Sequence, residues 1–163
     1  MPQSVFEVAP ELVPLLCSNL DDHESTPRVM VCMCLQVIFE RLKGAFGEQS
    51  VSEVYPILIK RLDDSSDQVR LAICPTLESF FRCAPKRAYS STCVGYMLDQ
   101  LFVHLDDGDS QIQEAVKATI LTVAKEIGST TVLKKAEAAK DTHRSVTQLE
   151  SLIAEIRGYE VIS

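Results

Sequence analysis

Six cysteines, three histidines and three aspartate pairs are the residues of this chain whose chemistry could go beyond packing. The cysteines are Cys17, Cys32, Cys34, Cys74, Cys83 and Cys93. A metal site would need several of these, or of the histidines, converging at ligand spacing. Cys32 and Cys34 stand two apart, so on a helix their side chains diverge, and no second pair lies at finger-like spacing. Most of the cysteines sit in apolar runs such as "VMVCMCLQVIF" at 29–39. Met1 is followed by Pro2, Glu7 and Glu11, not by a basic stretch and an apolar run, so no secretory signal is expected. Buried reduced thiols are therefore the expectation, with no metal or cofactor. A nucleophilic site would need a thiol or hydroxyl beside a base and an orienting group. His23, His104 and His143 fall in three separate joints instead, where solvated or capping roles are expected. No glycine-rich phosphate loop and no HExxH pattern occurs, and an enzyme is not expected.

The aspartate pairs carry a different message. Asp21–Asp22, Asp63–Asp64 and Asp106–Asp107 each follow a leucine, and Leu20, Leu62 and Leu105 stand 42 and 43 residues apart. A period of that size marks a repeat architecture. Upstream of each pair, apolar residues recur at helical spacing: Val13, Leu16 and Cys17; Tyr55, Leu58 and Ile59; Leu98, Leu101 and Phe102. Downstream, Val69, Ala72, Ile73, Thr76, Leu77 and Phe80 fall on one face, and Ile112, Ala115, Val116, Thr119, Ile120 and Val123 repeat their offsets. The first copy fits as Val31, Cys34, Leu35, Ile38, Phe39 and Leu42 if "HESTPR" lengthens its turn by four residues. Each unit thus reads helix, acidic turn, helix. Aspartates and serines bond nearby amides and favour the positive start of the next helix, and "SSDQ" at 65–68 has capping-box spacing. Pro14 and Pro56 are placed early in their helices, and Pro75 is expected to kink its own.

After Gly128 the period fades into "TTVLKKAEAAKDT" and then "SVTQLESLIAEI", with a cap at Ser145 and a stripe of Val146, Leu149, Ile153 and Ile156. No strand-like alternation is present. The fold class is all-α. At 163 residues, 46% hydrophobic and 24% charged, the chain has an ordinary globular balance. A net charge of −7 argues against nucleic acid or an anionic membrane as partner, and the uncharged stretches 29–39 and 88–98 are too short to span a bilayer.

With Val69 and Arg70 opening its second helix, the middle unit resembles the HEAT repeat. The resemblance implies an α-solenoid of about three antiparallel helix pairs plus a C-terminal helical cap. The expected organisation is one domain, 1–163, with units about 5–47, 51–85 and 90–128 and a cap at 129–158, part of a longer solenoid. It also implies a ladder between a turn aspartate and a helix arginine of neighbouring units, which Asp63 or Asp64 and Arg70 match. The register above puts Cys32 and Gln113 at the place of Arg70, so a continuous ladder is not expected. "YPILIKRLDDSSDQVRLA", "LFVHLDDGDSQIQEA" and "HRSVTQLESLI" are similar to the C-terminal units of HEAT-repeat axonemal dynein assembly factors. That likeness implies a non-catalytic cytoplasmic scaffold for preassembly of outer and inner dynein arms. Its implied partners are dynein chains, intermediate chains above all, and chaperone-linked assembly factors. The alternative is a HEAT adaptor of another pathway, in transport or as a phosphatase scaffold.

In such an array one set of helices lines a concave surface, and residues flanking the apolar stripe point into it. Arg70, Glu78, Phe81 and Arg82 are the partner-binding candidates on the middle unit, with Gln113, Lys117 and Lys125 on the third. Phe81 either anchors a partner or packs on the adjoining unit. At the other end Val5, Phe6, Val8, Leu12, Val13, Leu15 and Leu16 crowd the first helix without a polar cap. This end is expected to pack on upstream repeats and, in the isolated chain, to self-associate.

Overall fold

The computed structural model describes the backbone of residues 3–162 and the side chains of residues 6–159; Val5 lies outside the described side chains. Eight α-helices and no strand occur among the described residues. They are α1 (Gln3–Ser18), α2 (Ser25–Leu42), α3 (Glu48–Ile59), α4 (Asp67–Cys83), α5 (Ser91–Val103), α6 (Ser110–Glu126), α7 (Ser129–Ala139) and α8 (Val146–Ile162). A short 3-10 turn closes the first helix of each of the first three pairs, at Asn19–Asp21, Lys60–Asp63 and His104–Asp106. The repeated leucine sits in that turn each time, and Leu20, Leu62 and Leu105 are all buried. The second aspartate then folds its carboxylate over the joint: Asp22, Asp64 and Asp107 accept the amides of Glu24, Ser66 and Asp109 at 2.9, 2.9 and 3.0 Å. Such local bonds compete with helix continuation, so the chain turns at the same place in every copy.

α4 packs between α2 and α6, and these second helices form one layer; α1, α3, α5 and α7 pack on one another more lightly as a second layer. The apolar stripes meet between the layers, with Leu35, Leu58, Ile73, Leu77, Leu101, Val116 and Ile120 fully buried. The fourth pair closes the far end, burying Leu149, Leu152, Ile153 and Ile156 of α8. An aromatic seam locks the first two pairs. Phe39 touches Phe46 and Phe80 edge-on at 5.8 and 5.5 Å, and Phe80 meets Phe81 and Tyr89 at 5.8 and 5.7 Å. The Tyr89 hydroxyl donates to the Phe80 carbonyl, and the Phe46 amide donates to the Cys83 carbonyl at 2.8 Å.

Three local expectations change. Helix α1 begins at Gln3 and helix α3 at Glu48, so Pro14 and Pro56 both lie deep inside their helices rather than near their starts. Helix α4 stays helical on both sides of Pro75, which a kink there would leave intact; burial of this helix on both sides offsets the lost backbone bond. The box expected at 65–68 does not form. Ser66 is the N-cap of α4 without a side-chain bond, and the Asp64 carboxylate holds its amide instead.

Candidate functional site

The acidic turns lie side by side along one edge of the array and are joined by a double set of ion pairs. In one direction, the arginine that starts a second helix reaches forward to the next unit's second aspartate. Arg28 Nε and Nη2 donate to the two oxygens of Asp64 at 3.0 and 2.7 Å, a bidentate pair, while Nη1 donates to the Asp22 carbonyl at 2.7 Å. Arg70 repeats this one unit on: Nη2 donates to Asp107 Oδ2 and Nε donates to the Leu62 carbonyl at 2.9 Å. In the other direction, a basic side chain of each turn reaches back to the previous unit's first aspartate. Arg61 Nη2 donates to Asp21 Oδ1 at 3.1 Å, His104 Nε2 lies 3.2 Å from Asp63 Oδ1, and Arg144 Nε donates to Asp106 Oδ2 at 2.7 Å.

This geometry corrects the sequence register. Asp22 to Arg28 and Asp64 to Arg70 are both steps of six residues, as is Asp107 to Gln113. The first turn therefore has no four-residue lengthening; Arg28, not Cys32, is the counterpart of Arg70, and the ladder is continuous through the first three units. Only Gln113 departs, and its amide bonds the Asp107 carbonyl of its own turn. The equal Asp-to-Arg spacing was the signal that reasoning from the apolar stripe passed over. The backward set had a signal too: Arg61 and His104 each directly precede a repeated leucine.

The forward set is largely out of water, whereas Asp21, Asp63 and Arg144 of the backward set are mostly exposed. The Arg28, Arg61 and Asp64 side chains are 8%, 9% and 2% exposed. Burial pushes the Asp64 carboxyl up, but the bonds from Arg28 and the Ser66 amide, with Arg61 nearby, win and hold it below the usual carboxylate range. Asp107 is held low in the same way, burial being outweighed by the Asp109 amide, Arg70 and His104. Among the described residues, Arg61 Nε is the one buried side-chain polar atom with no hydrogen-bond partner. His104, expected to be a solvated joint residue, is buried between Asp63, Arg70 and Asp107. His143 Nε2 donates to the Phe102 carbonyl at 2.7 Å, and the Ser145 amide donates to Nδ1 at 2.9 Å. His23 stays exposed.

The remaining candidates divide by environment. Phe81 is buried in the aromatic seam, so it packs between units and is not an exposed anchor. Lys117 pairs with Glu155 at 2.6 Å and ties α6 to α8. Glu78 and Arg82 do come together. Arg82 lies 3.8 Å from Glu78, donates to Glu126 at 3.3 Å and to the Thr122 hydroxyl at 3.4 Å, and remains 48% exposed. Lys125, on the same helix as Thr122 and Glu126, is exposed. This is a polar surface across α4 and α6, suited to contact with a charged or hydrogen-bonding partner.

The thiols are free. Burial raises Cys17 and Cys93 to about 11 and Cys32, Cys74 and Cys83 to about 12, so these five are protonated at neutral pH. Cys34 departs from the expectation of burial: it is exposed, because α2 turns that face outward. No cluster of three or more histidine, cysteine or acidic groups among the described residues is arranged to hold a metal ion, and no helix is long and apolar enough to cross a membrane.

No family model matches the chain. It is 33% identical over 159 residues to dynein axonemal assembly factor 5 of Mus musculus, and 30% identical over 161 residues to that of Homo sapiens. These matches cover 93% and 95% of the chain but only 18% of either relative. Among solved structures, an engineered protein superposes with a TM-score of 0.55 over 86% of this chain and 59% of its own, at 15% identity. That likeness concerns the fold alone.

Proposed function

We propose that this chain, homologous along nearly its whole length to part of dynein axonemal assembly factor 5, is a non-catalytic protein-binding scaffold in the assembly of axonemal dynein arms. The observation that carries the reading is that homology, at 30 to 33% identity and without a long unmatched segment. The fold supports it. A ladder-locked stack of helices holds a broad side-chain surface rigid, which suits docking of large chains. In this reading the chain works in the cytoplasm, before dynein arms reach the cilium. Its partners are dynein chains, intermediate chains first among them, and chaperone-linked assembly factors. The contact surface is the polar face of α4 and α6, with Glu78, Arg82 and Lys125 at its centre; Arg70, Gln113 and Lys117 contribute indirectly by fixing the turns and the end of the stack.

Affinity capture from ciliated-cell lysate tests this directly. The wild-type chain is expected to enrich dynein intermediate chains, and Arg82→Glu with Lys125→Glu to lose them while keeping the helical circular dichroism spectrum. Enrichment of transport or phosphatase subunits without dynein chains would instead identify an adaptor of another pathway.

A further inference from the structure

The aspartate turns occupy one edge of the array, and the opposite edge, where the second helices end, is basic. Thr76 bonds Cys32 and Ser79 bonds Glu40, while Thr119 bonds Cys74 and Arg82 bonds Glu126, so α2, α4 and α6 run parallel. The 17 residues of α4 carry its end about 25 Å from its turn. Arg41 and Lys43 stand at the end of α2, Arg82, Lys86 and Arg87 at the end of α4 and just beyond it, and Lys125 at the end of α6. The connections that follow these helices adjoin one another. The Phe46 amide donates to the Cys83 carbonyl at 2.8 Å, and the Lys86 side chain lies against Gly128.

A cation in the last turn of a helix is favoured by the helix dipole, which accounts for Arg41, Arg82 and Lys125. It does not account for Lys86 and Arg87, which follow α4 in a separate 3-10 turn. Nor does it account for Lys43, whose backbone is left-handed (φ 43°), a conformation that favours glycine. Among the lysines and arginines, Arg41, Lys43, Lys86, Arg87, Lys125 and Lys134 have no ion pair with a described residue, and all six are exposed. All but Lys134 stand on this edge. In a chain with 23 acidic and 16 basic side chains, unpaired cations would not gather on one edge by default. Glu126 is neutralised by Arg82, whereas Glu7, Glu40 and Glu48 lie around the first connection. The positive field is therefore strongest at the middle one, over Lys86 and Arg87.

We infer that this basic edge docks an acidic, extended segment of a protein partner, centred on Lys86 and Arg87 and reaching Lys43 on one side and Lys125 on the other. The inference rests on the reading of the chain as a protein-binding scaffold; it adds a contact surface and states the chemistry of what binds there. Packed helices stand about 8 to 10 Å apart, a distance that an extended peptide covers in about three residues. A carboxylate at every third residue therefore meets one connection after another. A nucleic-acid strand brings a charge about every 3.4 Å, and its surplus phosphates would fall opposite Glu7, Glu40 and Glu48.

Fluorescence anisotropy of the full chain with a fluorescein-labelled peptide of four Glu-Ser-Ser repeats tests this without any dynein chain, so its failure and that of the assembly reading are distinguishable. Saturable binding that weakens as salt rises from about 50 to 300 mM is expected. Lys86→Glu with Arg87→Glu should weaken it by about tenfold or more. Lys60→Glu with Arg144→Glu makes the same charge change at exposed residues of the aspartate edge and should cost no more than about twofold. Circular dichroism checks that both variants stay helical. No binding at about 1 mM peptide overturns the inference. So do equal losses in the two variants, equal affinity for a peptide with its four glutamates in one block, or tighter binding of an oligothymidylate of the same length.

Discussion

Replacing Leu77 by alanine is the sharpest probe of how this stack is held together. Leu77 is fully buried on α4, the helix that packs against both α2 and α6. The substitution removes three carbon atoms from that contact. At about 0.8 kcal/mol per buried methylene, the lost transfer energy is about 2.4 kcal/mol. The flanking helices are anchored by the aspartate ladder and the aromatic seam, so they cannot close fully on the gap. A residual void of about 40 Å³ adds about 1 kcal/mol at 24 cal/mol per Å³. The expected loss is therefore about 3 to 4 kcal/mol, inside the usual range for such changes. Urea unfolding followed by far-ultraviolet circular dichroism measures it, with the slope compared as well as the midpoint, because a stacked array that uncouples shows a reduced slope. Leu15→Ala is the control, since Leu15 is 63% exposed and its loss should stay near or below about 0.5 kcal/mol. A Leu77→Ala loss below about 1 kcal/mol at unchanged slope, or one equal to that of Leu15→Ala, would refute the placement of α4 at the centre of the stack.

Acid should unfold the chain through its ladder. Asp64 and Asp107 are held below their ordinary values in the fold, so the stability they add is complete above about pH 4 and drains away as pH falls through their lowered values. Asp64→Asn should be less stable at pH 7 and show a shallower acid limb; an unchanged limb in chemical denaturation at stepped pH argues against the ladder. Arg28→Lys should lower the urea midpoint nearly as far as Arg28→Gln does, because an ammonium cannot span both Asp64 oxygens; full retention of the midpoint by lysine would speak against a bidentate contact. Titration with a chromogenic disulfide should find one fast thiol, Cys34, and five that react only on opening. Two or more fast thiols, or none in the monomeric chain, would contradict the burial pattern.

Much of the architecture is written locally and could be read without coordinates. Leu20, Leu62 and Leu105 with their aspartates mark the turns because an aspartate carboxylate bonds amides two residues away, whatever the rest of the chain does. The apolar spacing around Ile73 and Val116 likewise dictates which side of each second helix turns inward. What escaped the sequence depends on neighbours about 40 residues off. Arg28 looked like a turn residue until Asp64 met it across the gap between units. Phe81, on the flank of its stripe, could equally have faced a partner or Tyr89, and only the adjoining turn decided between them. Cys34 and Thr76 fill the same register position, yet one is exposed and the other buried. Intrinsic preference sets helix, turn and stripe, whereas burial is set by which unit stands alongside, and that is fixed only when the stack forms.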